Sequence, residues 1–120
     1  MKQNKYIPGD WVKYIGNNSL KYVQIWQVRE NFLFLESGYG MVNFSEVEPI
    51  PLTPKILEKN GWEWDGQDFV IGALVLYPEA DYFVFDGFGL KLKYVHQLQH
   101  LLFGLGLDSN FDLTDTKKGE

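Results

Sequence analysis

Pro49-Ile50-Pro51-Leu52-Thr53-Pro54-Lys55-Ile56-Leu57-Glu58-Lys59-Asn60-Gly61-Trp62 divides the chain into two stretches of different character. Thr53 is placed to cap the free N–H groups of a helix, and Pro54 fits the first helical position, where its missing donor costs nothing. At the other end, Asn60-Gly61 supplies a residue able to take positive φ. The spacing predicts a helix of about two turns, too short to stand alone, so Ile56 and Leu57 must pack against a sheet.

Ahead of this helix, residues 9–50 read as short strands parted by turn chemistry. Gly9-Asp10 leads into Trp11-Val12-Lys13-Tyr14-Ile15, Gly16-Asn17-Asn18-Ser19 turns the chain, and Tyr22-Val23-Gln24-Ile25-Trp26-Gln27-Val28 is a β-branched and aromatic run. Glu30-Asn31 is a tight reversal. Phe32-Leu33-Phe34-Leu35 is apolar at every position, so both faces of that strand need cover. After Ser37-Gly38-Tyr39-Gly40 come Met41-Val42-Asn43-Phe44, a Ser45-Glu46 turn and Val47-Glu48-Pro49-Ile50. Short strands with a turn before the last are the pattern of an SH3-like small barrel, with a plain antiparallel meander as the alternative. The Gly-Asp opening followed by an aromatic and a valine resembles barrels of the Tudor and KOW types.

Beyond the helix, Trp62-Glu63-Trp64, Asp65-Gly66 and Phe69-Val70-Ile71 predict a hairpin in which alternation puts both tryptophans on one face. Ala73–Tyr77, Asp81–Phe85 and Leu90–Lys93 are further strands. A second helix is expected from Tyr94 to Leu105, with Val95, Leu98, Leu101, Leu102 and Leu105 on one apolar arc and His96 and His100 near the centre of the polar face. The whole reads as an α+β protein. An N-terminal SH3-like β-barrel (residues 1–50) is followed by a helix, antiparallel strands and a C-terminal helix (51–107), packed on the barrel through Phe32–Leu35. Residues 108–120 form a polar tail.

Composition narrows the classes of function. A chain of 120 residues, 45% hydrophobic and 17% aromatic, is expected to fold as one cooperative unit. It has no cysteine, which removes thiolate chemistry and disulfides and makes the cytoplasm the expected location. Met1–Lys5 leads into Tyr6-Ile7-Pro8-Gly9-Asp10 in place of an apolar run, so no signal peptide is read, and no stretch is apolar enough for a spanning helix. The net charge of -5 is uneven. Residues 1–29 carry Lys2, Lys5, Lys13, Lys21 and Arg29 against Asp10 alone, whereas residues 51–120 carry six lysines against eleven acids.

The Pro49–Trp62 stretch, taken with Tyr94-Val95-His96-Gln97-Leu98-Gln99, resembles an uncharacterised family of small proteins encoded in Bacteroidetes genomes and their phage-like or mobile elements. The resemblance spans roughly Val47 to Leu105. It implies a small accessory protein, with no established activity to carry over. In that family the first histidine belongs to a recurring Tyr-Val-His-x-Leu-Gln motif, and the position of His100 is more usually asparagine. Ile7-Pro8-Gly9-Asp10-Trp11 stands in place of a Gly-Asn opening, and Phe103-Gly104-Leu105-Gly106-Leu107 in place of Phe-Ala-Leu-Thr-Gly.

Few residues are arranged for chemistry. His96 and His100 stand one turn apart, as a pair of imidazoles on one metal would, but no third histidine and no His-Glu-x-x-His arrangement is present, so no metal and no cofactor is expected. Asp65 and Asp68 flank a hairpin turn and Asp81 and Asp86 flank a strand, close to the Gly and Pro residues of turns, where such residues are called for. Ser19, Ser37, Ser45 and Ser109 stand in no nucleophile elbow, and Gly87-Phe88-Gly89 runs into a strand, not a helix. No catalytic residue is therefore assigned. The expected binding residues are Trp11, Lys13, Tyr14, Lys21, Tyr22, Trp26, Arg29 and His96. The aromatics among them suit a groove for another protein. Interleaved with lysine and arginine, they also offer a nucleic-acid face as the alternative, against which stands a pI near 5.0.

Overall fold

The computed structural model describes residues 6–16, 20–87 and 89–113. Asn17-Asn18-Ser19 of the first expected turn, Phe88, Lys2, Lys5 and residues 114–120 of the expected tail lie outside them. The chain forms two compact units, one running to Ile50 and rejoined from Leu113, the other Pro51–Asp112.

The first unit is an antiparallel sheet of β1 (Trp11–Tyr14), β2 (Lys21–Val28), β3 (Phe32–Leu35), β4 (Gly40–Asn43) and β5 (Val47–Pro49), in the order β4-β3-β2-β1-β5. The α+β character holds, but the expected SH3-like barrel does not: no sheet closes, and β4 and β5 remain the two edges. Five strands and their turns specify neighbours, whereas closure needs strands long enough to tilt and stagger around an axis. β4 has four residues and β5 three, separated by a 3-10 turn at Phe44–Glu46.

Entry to β1 is a type II turn with Pro8 and Gly9 at its centre. Asp10 N donates to Ile7 O at 3.1 Å, and Gly9 takes φ +95°. The buried Asp10 carboxylate accepts from Ile7 N at 2.9 Å. Val12 and Tyr14 on β1, Val23 and Ile25 on β2, Leu33 and Leu35 on β3, Val42 and Val47 form the core of this unit. On β1, β2 and β3 these are alternate residues, as one face of a pleated strand requires.

The second unit begins with α1 (Pro54–Lys59), capped by Thr53, whose Oγ1 accepts from Ile56 N at 3.2 Å. It ends as the sequence predicts. Gly61 takes φ +94°, Trp62 N donates to Leu57 O and Gly61 N to Glu58 O, which is a Schellman cap, with the apolar pair Leu57 and Trp62 both buried. A meander follows: β6 (Glu63–Trp64), β7 (Phe69–Ile71), β8 (Leu74–Pro78), β9 (Phe83–Phe85) and β10 (Leu90–Leu92). α2 (Val95–Gly104) closes with the same Schellman pattern through Gly106, at φ +75°, and Leu107.

The Pro49–Trp62 and Tyr94–Gln99 stretches meet here. Pro51 bridges Tyr94, and Leu52 N donates to Lys93 O at 2.9 Å. Gln97 Oε1 accepts from Lys93 N and Tyr94 N, fixing the start of α2. Anchored this way, α2 turns Val95, His96, Leu98, Gln99 and Leu102 inward and leaves Leu105 exposed. The helix is rolled by somewhat under one residue's ~100° step from the expected arc, so His96 lies buried and not on a polar face.

Candidate functional site

Strand register sorts the expected binding residues. On β1 and β2, Trp11 faces Gln24 and Lys13 faces Tyr22, so these four point away from the core formed by Val12, Tyr14, Val23 and Ile25. Trp11, Lys13, Lys21, Tyr22 and Gln24 line one groove of about 760 Å3, bounded by Leu20, Glu36 and Ser37. Gln24 Nε2 donates to Gly9 O at 3.0 Å, which ties the groove wall to the entry turn. The two non-glycine residues with positive φ among the described residues, Leu20 at 53° and Ser37 at 65°, both border it. Such backbone costs of order 1–3 kcal/mol where the surroundings hold it, and it gathers at ligand-binding loops.

Trp26 stands further along the same face. The β2–β3 register shifts between Ile25 and Gln27, and the irregularity re-aims the indole. Its ring meets Phe34 edge-on at 6.0 Å, and Phe34 meets Phe32 edge-on at 5.6 Å. Met41 lies opposite Phe34 on β4. Trp26 is 56% exposed and Met41 61%, while Phe32 and Phe34 are half-buried. Phe32, Phe34 and Met41 were not among the expected binding residues. The run Phe32–Leu35 held the signal: of its two apolar faces, Leu33 and Leu35 serve the core, and Phe32 and Phe34 form a platform for Trp26.

The remaining expected residues go elsewhere. Tyr14 is core, its ring 4.8 Å from that of Tyr39 and so close over Gly16 that a Cβ there would collide with it. Arg29, at the end of β2, donates to Gln27 Oε1 at 2.8 Å. His96 belongs to the second unit, 3% exposed, stacked with Tyr94 at 6.0 Å and edge-on to His100 at 5.5 Å. Burial, and secondarily the neighbouring His100, lowers its pKa to about 4, so the imidazole is neutral at pH 7.

Two carboxylates of the second sheet, Asp65 and Asp86, lie within electrostatic reach of a third, Asp68. Asp65 Oδ1 accepts from Gln67 N and Asp68 N, holding the β6–β7 turn, and those backbone donors lower its pKa. Interaction with the Asp86 carboxylate raises the Tyr77 phenol pKa, and desolvation raises that of Asp68, with Asp65 and Asp86 adding to it. Among the described residues no group of three or more His, Asp or Glu is placed to hold a metal ion. No helix among them is long and apolar enough to cross a membrane.

Comparison of the chain with protein-family models, with curated proteins and with solved structures gives no match.

Proposed function

We propose that this chain is a non-catalytic protein-binding or adaptor module whose docking face is the aromatic side of the first sheet. The observation that carries this reading is Trp26, more than half exposed yet braced edge-on against Phe34 and flanked by Phe32 and Met41. A large ring already held in place loses little freedom on binding, which is what makes exposed tryptophan an effective anchor. The partner is a protein segment that sets an apolar side chain on Trp26 and Phe34 and directs acidic residues toward Lys13 and Lys21. An accessory role in the cytoplasm, in line with the family resemblance and the lack of cysteine, completes the reading.

The test is capture from host lysate by the tagged chain and by Trp26→Ala in parallel, with nuclease and moderate salt, read by mass spectrometry. Proteins retained by the first and lost by the second support the reading. Identical capture by both sinks it.

A second reading follows from the groove itself, where Lys13, Lys21 and Tyr22 stand together with Trp11. Single-stranded nucleic acid would stack on the tyrosine and place phosphates at the lysines. Its affinity would fall steeply with added salt, while an apolar anchor at Trp26 would be far less sensitive. Titration with a single-stranded oligothymidylate across a salt series separates the two.

A further inference from the structure

The second unit contains an apolar cleft of about 430 Å3 that the protein-binding reading does not use. Trp62 from the end of α1, Ile71 from β7, Leu102 from α2 and Phe111 from the segment after it form its walls. Gly72 and Ala73, in the turn between β7 and β8, supply the smallest part of the wall, and a Cβ on Gly72 would meet nothing within 4 Å.

Interiors close to native packing density leave few voids larger than a water molecule, so a space of this size needs something to hold it open. The segment 108–112 does so, fastened to the rest of the unit at two points and braced internally at a third. Asn60 binds both backbone groups of Asp112, Gln99 Nε2 donates to Ser109 O at 3.2 Å, and Asp108 Oδ1 accepts from Asn110 N at 3.0 Å. Phe111 is turned inward between them and is buried. The volume falls among those of small-ligand clefts.

The chemistry of the rim selects the ligand. Asp108 carries the one charge among the described residues lining the cleft, joined by the amides of Asn60 and Asn110. Residues 51–112 hold four lysines against nine acids, so the field around the cleft is negative as well. We propose that this cleft binds a small organic ammonium compound, a ring or branched chain bearing a primary amine, with the apolar part between Trp62, Leu102 and Phe111 and the ammonium at Asp108. A carboxylate or phosphate of the same shape would be repelled.

The probes are phenethylamine, neutral 2-phenylethanol and anionic phenylacetate, titrated into the full chain at pH 7. Binding is read by the amide resonances of Gly72 and Ala73 and the Trp62 indole N–H. Saturable shifts are expected, with the amine about threefold tighter than the alcohol, the scale of an exposed ion pair, and the acid weakest. Asp108→Asn should bring amine and alcohol together. Ala73→Phe, at an exposed turn position, should fill the cleft and abolish the shifts for all three. Absence of saturable shifts, equal affinities for the three probes, or an unchanged order in Asp108→Asn would each overturn the proposal. Trp26→Ala should leave these shifts unchanged, so the outcome is independent of the protein-binding reading.

Discussion

The Asn60 side chain grips the backbone of Asp112, 52 residues away, from both sides: Oδ1 accepts from Asp112 N at 2.6 Å and Nδ2 donates to Asp112 O at 3.2 Å. The same Nδ2 also donates to Ile56 O at 2.9 Å. One amide therefore closes α1 and fastens the segment that ends the second unit. Asn60→Ala should cost about 1–3 kcal/mol, since it strips partners from backbone groups on both elements. Urea unfolding monitored by far-UV circular dichroism measures it; a loss below ~0.5 kcal/mol would mean that solvent replaces the clasp.

Trp26 and Trp11 separate binding from packing. Trp11→Ala, at a site 7% exposed, should destabilise by about 3–5 kcal/mol. Trp26→Ala, at a mostly exposed site, should stay within about 1 kcal/mol of the parent and change only what the chain captures. If instead the two variants unfold at similar denaturant concentrations, the indole of Trp26 is structural and the docking face is misassigned.

His96 should make stability pH-dependent. Its folded pKa is about 4 against an ordinary 6.5, so between those values the unfolded chain takes up a proton that the folded chain refuses. The stability is intact above about pH 6.5 and falls as pH drops toward 4, by up to roughly 3 kcal/mol from this group. In His96→Gln, denaturation midpoints collected from pH 7.5 down to 4.5 should follow a flatter slope. An unchanged slope assigns the acid sensitivity to another group.

Gly61 and Gly106 hold the two Schellman caps at φ +94° and +75°. Replacing either by alanine places a Cβ in the left-handed region and should cost about 1 kcal/mol at each, since the new Cβ makes no more than an ordinary contact with Ile71 Cδ1 at 3.4 Å at Gly61 and meets nothing within 4 Å at Gly106. Thermal melts of the two single variants report the cost. Equal melting temperatures for parent and both variants would show that the caps tolerate a side chain.

Local chemistry was legible wherever it acts over a few residues. Thr53, Pro54 and Asn60-Gly61 bounded α1, and Gly9-Asp10 marked the entry to β1. Tyr14 shows the limit of that reading, since its identity suited a groove and only its register with Val47 and Lys21 made it core. The platform under Trp26 was hidden for a related reason. It depends on a register shift in β2 that inserts no turn residue and leaves no mark in composition.

Taken alone, the order of residues determined which segments become strands and helices and where they stop, because propensity, capping and turn geometry are settled by neighbours in the chain. Whether the first sheet closes, how α2 is rolled so that His96 faces inward, and which residue meets Asn60 were decided only in three dimensions. Each depends on contacts between residues far apart in sequence, such as Pro51 with Tyr94 and Asn60 with Asp112, and such contacts form only when the enclosed chain is ordered by the rest of the fold.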